Sequence, residues 1–336
     1  MRRSVLLIFA LLCLPVLANA QWIKQSVDTK ASFRGLSVVN EKVVWASGTG
    51  GTVIRTIDGG KTWKVMTVPG AEKLDFRDIE AFDANTAYIL SIGNGDSSRI
   101  YKTTDGGANW KLQFKNTNPK AFFDAMACWN GSNCIAMSDP IDGHFLLVST
   151  FNAGRTWAAA DRMPNAQDGE ASFAASGTCL IRPDFFNVFI VTGGNHARVI
   201  HGGPSTDSGL QWKSTNTDFV TGEGSGIFSI AMFDKSNGVI VGGNYEKPDE
   251  HDKNLAFTTD GGVTWTLKDG LTGYRSGVIY VDKNTIVAVG TNGTDLSSDA
   301  GRSWQKIGNE NLNAVQAKGR TAVWAAGPNG LVVKLK

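Results

Sequence analysis

Thr103 to Trp110 reads TTDGGANW, and the pattern it contains, Ser/Thr-x-Asp-x-Gly-x-x-Trp, returns at five other places in the chain. The copies are TIDGGKTW at Thr56 to Trp63, TFNAGRTW at Thr150 to Trp157, STDSGLQW at Ser205 to Trp212, TTDGGVTW at Thr258 to Trp265 and SSDAGRSW at Ser297 to Trp304. Their third positions, Asp58, Asp105, Asn152, Asp207, Asp260 and Asp299, stand 47, 47, 55, 53 and 39 residues apart, which is the spacing of a structural repeat. Each copy reads as a tight turn between antiparallel strands: the short acid accepts hydrogen bonds from its own turn, and glycine supplies a positive φ. Ser or Thr caps the incoming strand, and Trp opens the outgoing one and buries its ring against a neighbouring sheet. On this reading the five aspartates and Asn152 build turns and take no part in catalysis or metal binding.

Outward from the turns, the apolar runs are short, β-branched and broken by Gly, Asn and Asp, a strand pattern with almost no helical period. The first unit holds strands at 36–39, 43–47, 52–56 and 63–68, and the same order repeats from Phe76, Phe122, Ser172, Ile227 and Arg275. After the sixth copy come 314–317, 322–326 and 331–335, three strands without a fourth. The missing strand is at the other end: Gln21-Trp22-Ile23-Lys24-Gln25-Ser26 is similar to Thr62-Trp63-Lys64-Val65-Met66-Thr67. Pairing it beside the last strand removes two open sheet edges. The expected fold is all-β, seven blades of four strands, with both termini in one blade.

These repeats resemble the Asp boxes, or BNR repeats, of sialidases, xyloglucan hydrolases and photosystem II stability/assembly factors. The resemblance implies a propeller whose boxes join the third and fourth strands of each blade, on the face away from the ligand site. Over residues 21–336, length, leader, single ring and boxes look most like the photosystem II stability/assembly factor-like proteins, which implies a binding or assembly role. The likeness to sialidases is weaker. Phe33-Arg34-Gly35 stands where their Arg-Ile-Pro motif belongs, Ile181-Arg182-Pro183 comes far too late, and no Tyr and Glu pair matches theirs.

Arg2 and Arg3, an apolar run from Val5 to Leu17 and Ala18-Asn19-Ala20 read as a secretory signal, too short to span a membrane. Cys13 follows Leu12 where a lipoprotein signal needs a small residue, so cleavage is expected after Ala20. The product is an exported, monomeric protein, periplasmic or extracellular. Of 33 Lys and Arg, loss of Arg2 and Arg3 leaves 31 against 31 acids, so nothing points to nucleic acid or an anionic membrane. Cys128 and Cys134 flank a hairpin tip, and export would allow them to pair; three buried thiols, with Cys179, are the alternative.

In such a ring the second-to-third loops and the links between blades share the box-free face, where function is expected. The entries to the innermost strands are Phe33-Arg34-Gly35, Phe76-Arg77-Asp78, Phe122-Phe123-Asp124, Glu170-Ala171-Ser172, Ile227-Phe228-Ser229, Arg275-Ser276-Gly277 and Leu312-Asn313-Ala314. Charges near a narrow axis must be paired or hold a ligand. Arg34, Arg77 and Arg275 suit a clamp for a carboxylate, with Asp124, Asp142, His144, Arg198 and Tyr274 as further ligand-binding candidates. His144 and His196 read first as hydrogen-bonding residues of the mouth or core and only second as catalytic bases, and the insertion 244–254 reads as a solvated loop.

Two classes of function follow. One is a polar mouth that binds a protein segment or an acidic glycan. The other is a carbohydrate-active enzyme, with Glu170, Asp78, Asp124 and Asp139 offering an acid and a base and Tyr245 or Tyr274 a phenol. The usual routes need two carboxyls about 5 to 9.5 Å apart. A carboxyl pair facing a cavity favours chemistry, and full ion pairing favours a scaffold. No cofactor or metal is expected: GxGxxG, CxxC, HExxH and GxSxG are absent.

Overall fold

The computed structural model describes residues 21–206 and 209–336. The expected leader and the fourth box residue, Asp207, lie outside the described residues. Seven antiparallel sheets form the blades of one propeller, and their innermost strands touch in cyclic order. Blade one shows the pattern: Phe33–Val38, Val44–Gly48, Thr52–Thr56 and Lys64–Thr67, each hydrogen-bonded to the next. Among the described residues the only helical element is a 3-10 turn at Gly95–Ser97.

The second strand of a blade is packed on both faces by neighbouring blades, which is why its sequence is continuously apolar or small. Val44–Gly48, Ala87–Ser91 and Ile286–Gly290 are buried at every residue. Core forms in the wedges between blades: Phe33, Ala46 and Ile54 pack on Trp324, Ala326 and Val332, and Trp324 is fully buried. The ring closes as the sequence implies. Trp22–Lys24 pairs with Val332–Leu335 in the register Trp22 to Leu335, and the Trp22 Nε1 donates to Thr294 Oγ1 of blade six at 2.9 Å.

The box turns share one hydrogen-bond plan. Asp105 Oδ1 accepts from the Asn109 backbone N–H at 2.9 Å and Oδ2 from its side chain at 2.7 Å, while Thr103 Oγ1 accepts from the Gly107 N–H at 2.9 Å. Asp58, Asp260 and Asp299 repeat this with Thr62, Thr264 and Ser303. These bonds favour the charged form and hold all four carboxyls down at about 2. Asn152 keeps the plan by donating its amide to Thr156 Oγ1 at 2.8 Å and accepting from the Thr156 N–H at 3.0 Å. Trp45 and Trp110 meet edge to face at 6.5 Å, and Trp63 and Trp324 at 5.7 Å, so these box rings are driven into the wedge against the preceding blade.

Blade four departs from the expected order. Glu170–Ala171 does not begin its innermost strand but pairs with Gly193–Gly194 at the margin of blade five's sheet. The innermost strand is the two-residue Leu180–Ile181, so the strand expected from Ser172 is displaced. Residues 172–178 instead cross the axis. The Ala174 and Ala175 carbonyls accept from Arg77 and Arg34, Ser176 Oγ donates to the Ser276 carbonyl at 2.7 Å, and Thr178 Oγ1 lies 2.6 Å from Ser229 Oγ. The sequence Phe-Ala-Ala-Ser-Gly-Thr is small enough for that narrow space. Gly177 sits at φ +77, and a Cβ there would fall 2.6 Å from Asp78 Oδ1.

Cys128 and Cys134 are register partners across the blade-three hairpin, with Cα atoms 4.0 Å apart and sulfurs at bonding distance. Cys179 is buried. No helix among the described residues is long and apolar enough to cross a membrane.

Candidate functional site

The axial segment of blade four divides the channel into two chambers. The box-free chamber, about 340 Å³, has Ser172, Phe173, Ala174 and Ala175 for its floor. The box-side chamber, about 260 Å³, is lined by Ser176, Gly177 and Thr178 with Asp78 and Glu80.

One structural rule decides which residues reach the box-free chamber. Phe33, Ile227, Arg275 and Leu312 each donate a backbone N–H to the end of the preceding blade's second strand, at 3.0, 3.1, 2.9 and 3.1 Å. They are therefore equivalent, and all four side chains are fully buried. The residue that follows each one, Arg34, Phe228, Ser276 and Asn313, lines the chamber. In blades one, two, three and five that next residue sits in a β-bulge: the register slips between Phe33 and Gly35, Phe76 and Asp78, Phe123 and Ala125, and Ile227 and Ser229. A bulge turns one extra side chain away from the ladder. Here it turns Arg34, Arg77, Asp124 and Phe228 to the mouth.

Arg34 donates to the Ala175 carbonyl at 3.1 Å and, among the described residues, has no carboxylate partner. Burial, then the Arg77 charge, lowers its pKa. Arg77 donates its Nε to Asp75 at 2.8 Å and Nη1 to the Ala174 carbonyl at 3.2 Å. Opposite these cations stand Asp124 and Asp139. Asp139, on the second strand of blade three, accepts the Ser172 N–H at 2.9 Å, yet burial raises its carboxyl to about 6. Asp124 is 1% exposed, its Oδ2 has no donor among the described residues, and burial followed by the Asp139 charge pushes it well above the usual carboxylate range. An aromatic wall completes the chamber. Phe173 stacks on Phe228 with ring centres 3.9 Å apart, and Phe228 meets Tyr274 edge to face at 4.8 Å and Tyr245 at 6.3 Å. Burial raises the Tyr274 phenol, whereas Tyr245 is half exposed.

The structure thus brings Arg34, Arg77, Asp124, Asp139, Tyr245 and Tyr274 together and places the other candidates elsewhere. Arg275 is fully buried and does not join the arginine cluster: it gives Nε and Nη2 to Asp295 at 2.9 and 2.6 Å, Nη1 to Asn292 and to the Tyr274 carbonyl at 2.6 Å each, and Nη2 to Thr272 at 2.8 Å. Glu170 and Arg198 close on each other at 2.8 and 2.5 Å, and Glu170 also accepts from Thr192 Oγ1 at 2.6 Å. Asp78 accepts the Ile79 and Met126 N–H groups at 2.7 and 2.6 Å and faces the box-side chamber. Burial lifts it to about 7, and Glu80 beside it is raised by burial and by the Asp78 charge. Asp142 and His144 form an exposed turn tip, with Asp142 3.4 Å from Lys120.

Phe173, Phe228, Ser276 and Asn313 belong to the chamber although sequence reasoning gave them no role. The entry triplets held the signal, since the middle residue is the one that faces the mouth in blades one, two, five, six and seven. Arg275 is the first residue of its triplet, where Phe33 and Leu312 are buried. In blade three the triplet was placed one residue early, and Asp124 is its true middle.

A family model described as photosynthesis system II assembly factor YCF48 matches residues 14–268. Among solved structures, "YCF48 bound to D1 peptide" superposes with a TM-score of 0.67 at 16% identity, covering 94% of this chain and 96% of that one. YCF48 from Cyanidioschyzon merolae gives 0.69 at 17% identity, with 93% and 98% covered. The WD40 propeller domain of Doa1 gives 0.64 at 11%, with 95% and 97% covered, a likeness of fold alone. No curated protein sequence matches significantly.

Proposed function

Since this chain belongs to the family of photosynthesis system II assembly factor YCF48, we propose that it is an exported, monomeric binding protein that holds an extended protein segment at its box-free mouth. The observation that carries this reading is the pair Arg34 and Arg77, turned into the chamber by matched bulges and supported from below by carbonyls of residues 174 and 175. Arginines so placed keep N–H groups free for the carboxylates and carbonyls of a peptide. The aromatic wall takes its apolar side chains. The YCF48 structure that holds a D1 peptide supports a peptide as the class of ligand. Export, with a Cys128–Cys134 disulfide, fits the leader, and a single masked thiol in protein recovered after export tests both.

The binding test is photocrosslinking in cells from a benzophenone residue at position 245 in the mouth, with position 263 on a box turn as control. A protein adduct that forms at 245, fails at 263 and disappears in Arg34→Ala/Arg77→Ala supports the reading. Equal adducts from both faces overturn it.

Asp124 and Asp139 favour a second reading, because they are a carboxyl pair that faces a cavity with raised pKa values. That arrangement fits an enzyme that hydrolyses or eliminates on an acidic glycan bound through Arg34 and Arg77. Turnover of an acidic-glycan panel that is abolished in Asp139→Asn supports it, and no turnover on any member removes it.

A further inference from the structure

We propose that the Asp124 and Asp139 side of the mouth is a subsite for a cationic side chain, lysine or arginine, carried by the bound protein segment. The inference rests on the mouth being the binding site and adds what the acids there recognise. Asp124 lines the chamber, is 1% exposed and has one carboxyl oxygen with no donor among the described residues. A buried carboxyl that lacks a donor is costly, and a ligand that brings the donor relieves the cost on binding. Asp139 has one backbone donor, the Ser172 N–H at 2.9 Å, which leaves acceptor capacity on its other oxygen.

The wall beside them suits an organic cation. The stacked Phe173 and Phe228 rings line the same chamber as Tyr245 and Tyr274, and aromatic faces attract ammonium and guanidinium groups. A hard metal ion is less well served, since it takes six or more oxygen ligands, and no group of three or more acids, histidines or cysteines suited to a metal occurs among the described residues. The charge balance agrees. Asp75, Asp124 and Asp139 face Arg34 and Arg77, three carboxyls against two guanidiniums, so the ionised mouth carries one negative charge in excess. A single cation neutralises it.

Proton linkage has a definite sign. Asp124 faces Asp139 and Arg77, with the Cys179 thiol near it, Asp139 rests on Ser172, and Arg34 faces Arg77, Asp75 and Tyr274. Burial favours the neutral acids, and Asp139 reaches about 6. A cation binds the ionised form, so its affinity rises as pH goes from about 5 to about 7.5.

The test uses the full chain, labelled for amide NMR, and three probes: the N-acetyl methylamides of lysine, norleucine and glutamate. The lysine probe should shift amides near Asp124 and Ser172 about tenfold more tightly than norleucine, which keeps the four-carbon stem and lacks the ammonium. That preference should vanish in Asp124→Asn and in Asp139→Asn, which keep shape and remove charge, and should shrink several-fold at about pH 5. The glutamate probe should still bind both variants and be lost in Arg34→Ala/Arg77→Ala. Equal binding of lysine and norleucine, or lysine binding unchanged in the Asn variants, overturns the subsite. If glutamate binds at the arginines and lysine does not, the subsite falls and the mouth stands. If no probe perturbs the mouth, both fall.

Discussion

Arg275 and Arg34 stand at the head of the innermost strands of blades six and one, yet the first is sealed and the second open. Arg275 is fully buried and spends its donors on Asp295, Asn292, Thr272 and the Tyr274 carbonyl. Arg34 lines a cavity and makes a single hydrogen bond, to the Ala175 carbonyl, among the described residues. The two positions differ by one residue. Arg275 takes the buried place of Phe33, and Ser276 takes the place of Arg34. Register against the preceding blade, more than residue type, decides whether an arginine becomes part of the wall or part of the mouth.

Asp295→Ala breaks the sealed side and should have the largest effect. It leaves a guanidinium with no countercharge at a site where both side chains are fully buried, a loss of about 3 to 5 kcal/mol. A urea unfolding curve measures it. The double change Arg275→Met/Asp295→Leu should recover most of the loss, because an apolar pair of similar volume avoids the desolvation cost. A loss below about 1 kcal/mol in Asp295→Ala would erase the contrast with the mouth.

Next in size is the partition between the chambers. Gly177→Ala forces a side chain onto a left-handed backbone, φ +77, with its Cβ 2.6 Å from Asp78 Oδ1. The expected cost is about 1 to 3 kcal/mol, together with weaker binding at the mouth as the 174 and 175 carbonyls shift under the arginines. Gly319→Ala is the control: φ is +71, but nothing lies within 4 Å, so strain acts there without a clash and binding is unchanged. Equal effects at both glycines would mean that residues 172–178 do not support the site.

Much of this contrast is legible in the sequence, and its missing part has a physical cause. The boxes announce the ring because a capped Asp-Gly turn and its Trp are local chemistry, and Trp22 betrays the closing strand by its likeness to the strand after a box. Asp207, in the fourth copy, lies outside the described residues. The strands of blade four were misjudged from Ser172, since Ala174, Ala175 and Gly177 are selected for a narrow axis and carry no alternation. Arg34 and Arg77 are legible because each follows a Phe at the aligned entry to an innermost strand, where the structure places a bulge. Arg275, Glu170 and Arg198 were grouped with them because a charged residue reads alike whether its partner is a ligand or, as for Glu170, a buried arginine 2.5 Å away. Pairing of that kind is set by the fold and has no local signature.

Acidity separates the faces with a smaller effect, and the sign differs at each. Asp139 and Asp78 have folded values raised to about 6 and about 7. Their contribution to stability is complete below the unfolded carboxylate value of about 4 and is lost as pH rises through those raised values. The box acids are held at about 2, so their contribution is present above about 4 and is lost as pH falls towards 2. Unfolding free energy should rise between about pH 7.5 and about pH 5, and fall below about pH 4. Denaturant titration across that range measures it. Asp139→Asn should shrink the upper limb, Asp78→Asn/Asp139→Asn should flatten it, and both should leave the lower limb intact; a profile with no upper limb would mean that the chamber acids are already ionised.

The smallest expected effect is on stability at the open side. Arg34→Ala removes one hydrogen bond to a carbonyl and one guanidinium that its neighbour Arg77 disfavours, so the net loss should stay within about 1 kcal/mol. Asp124→Asn replaces a carboxyl oxygen that has no donor with a neutral amide and should be neutral or slightly stabilising. Both variants should nevertheless bind less: the first the acidic probe, the second the cationic one. Stability retained while binding is lost is the mark of a residue whose partner comes from outside the fold. If Arg34→Ala instead unfolds the protein as Asp295→Ala does, Arg34 belongs to the wall with Arg275 and the mouth has no free clamp.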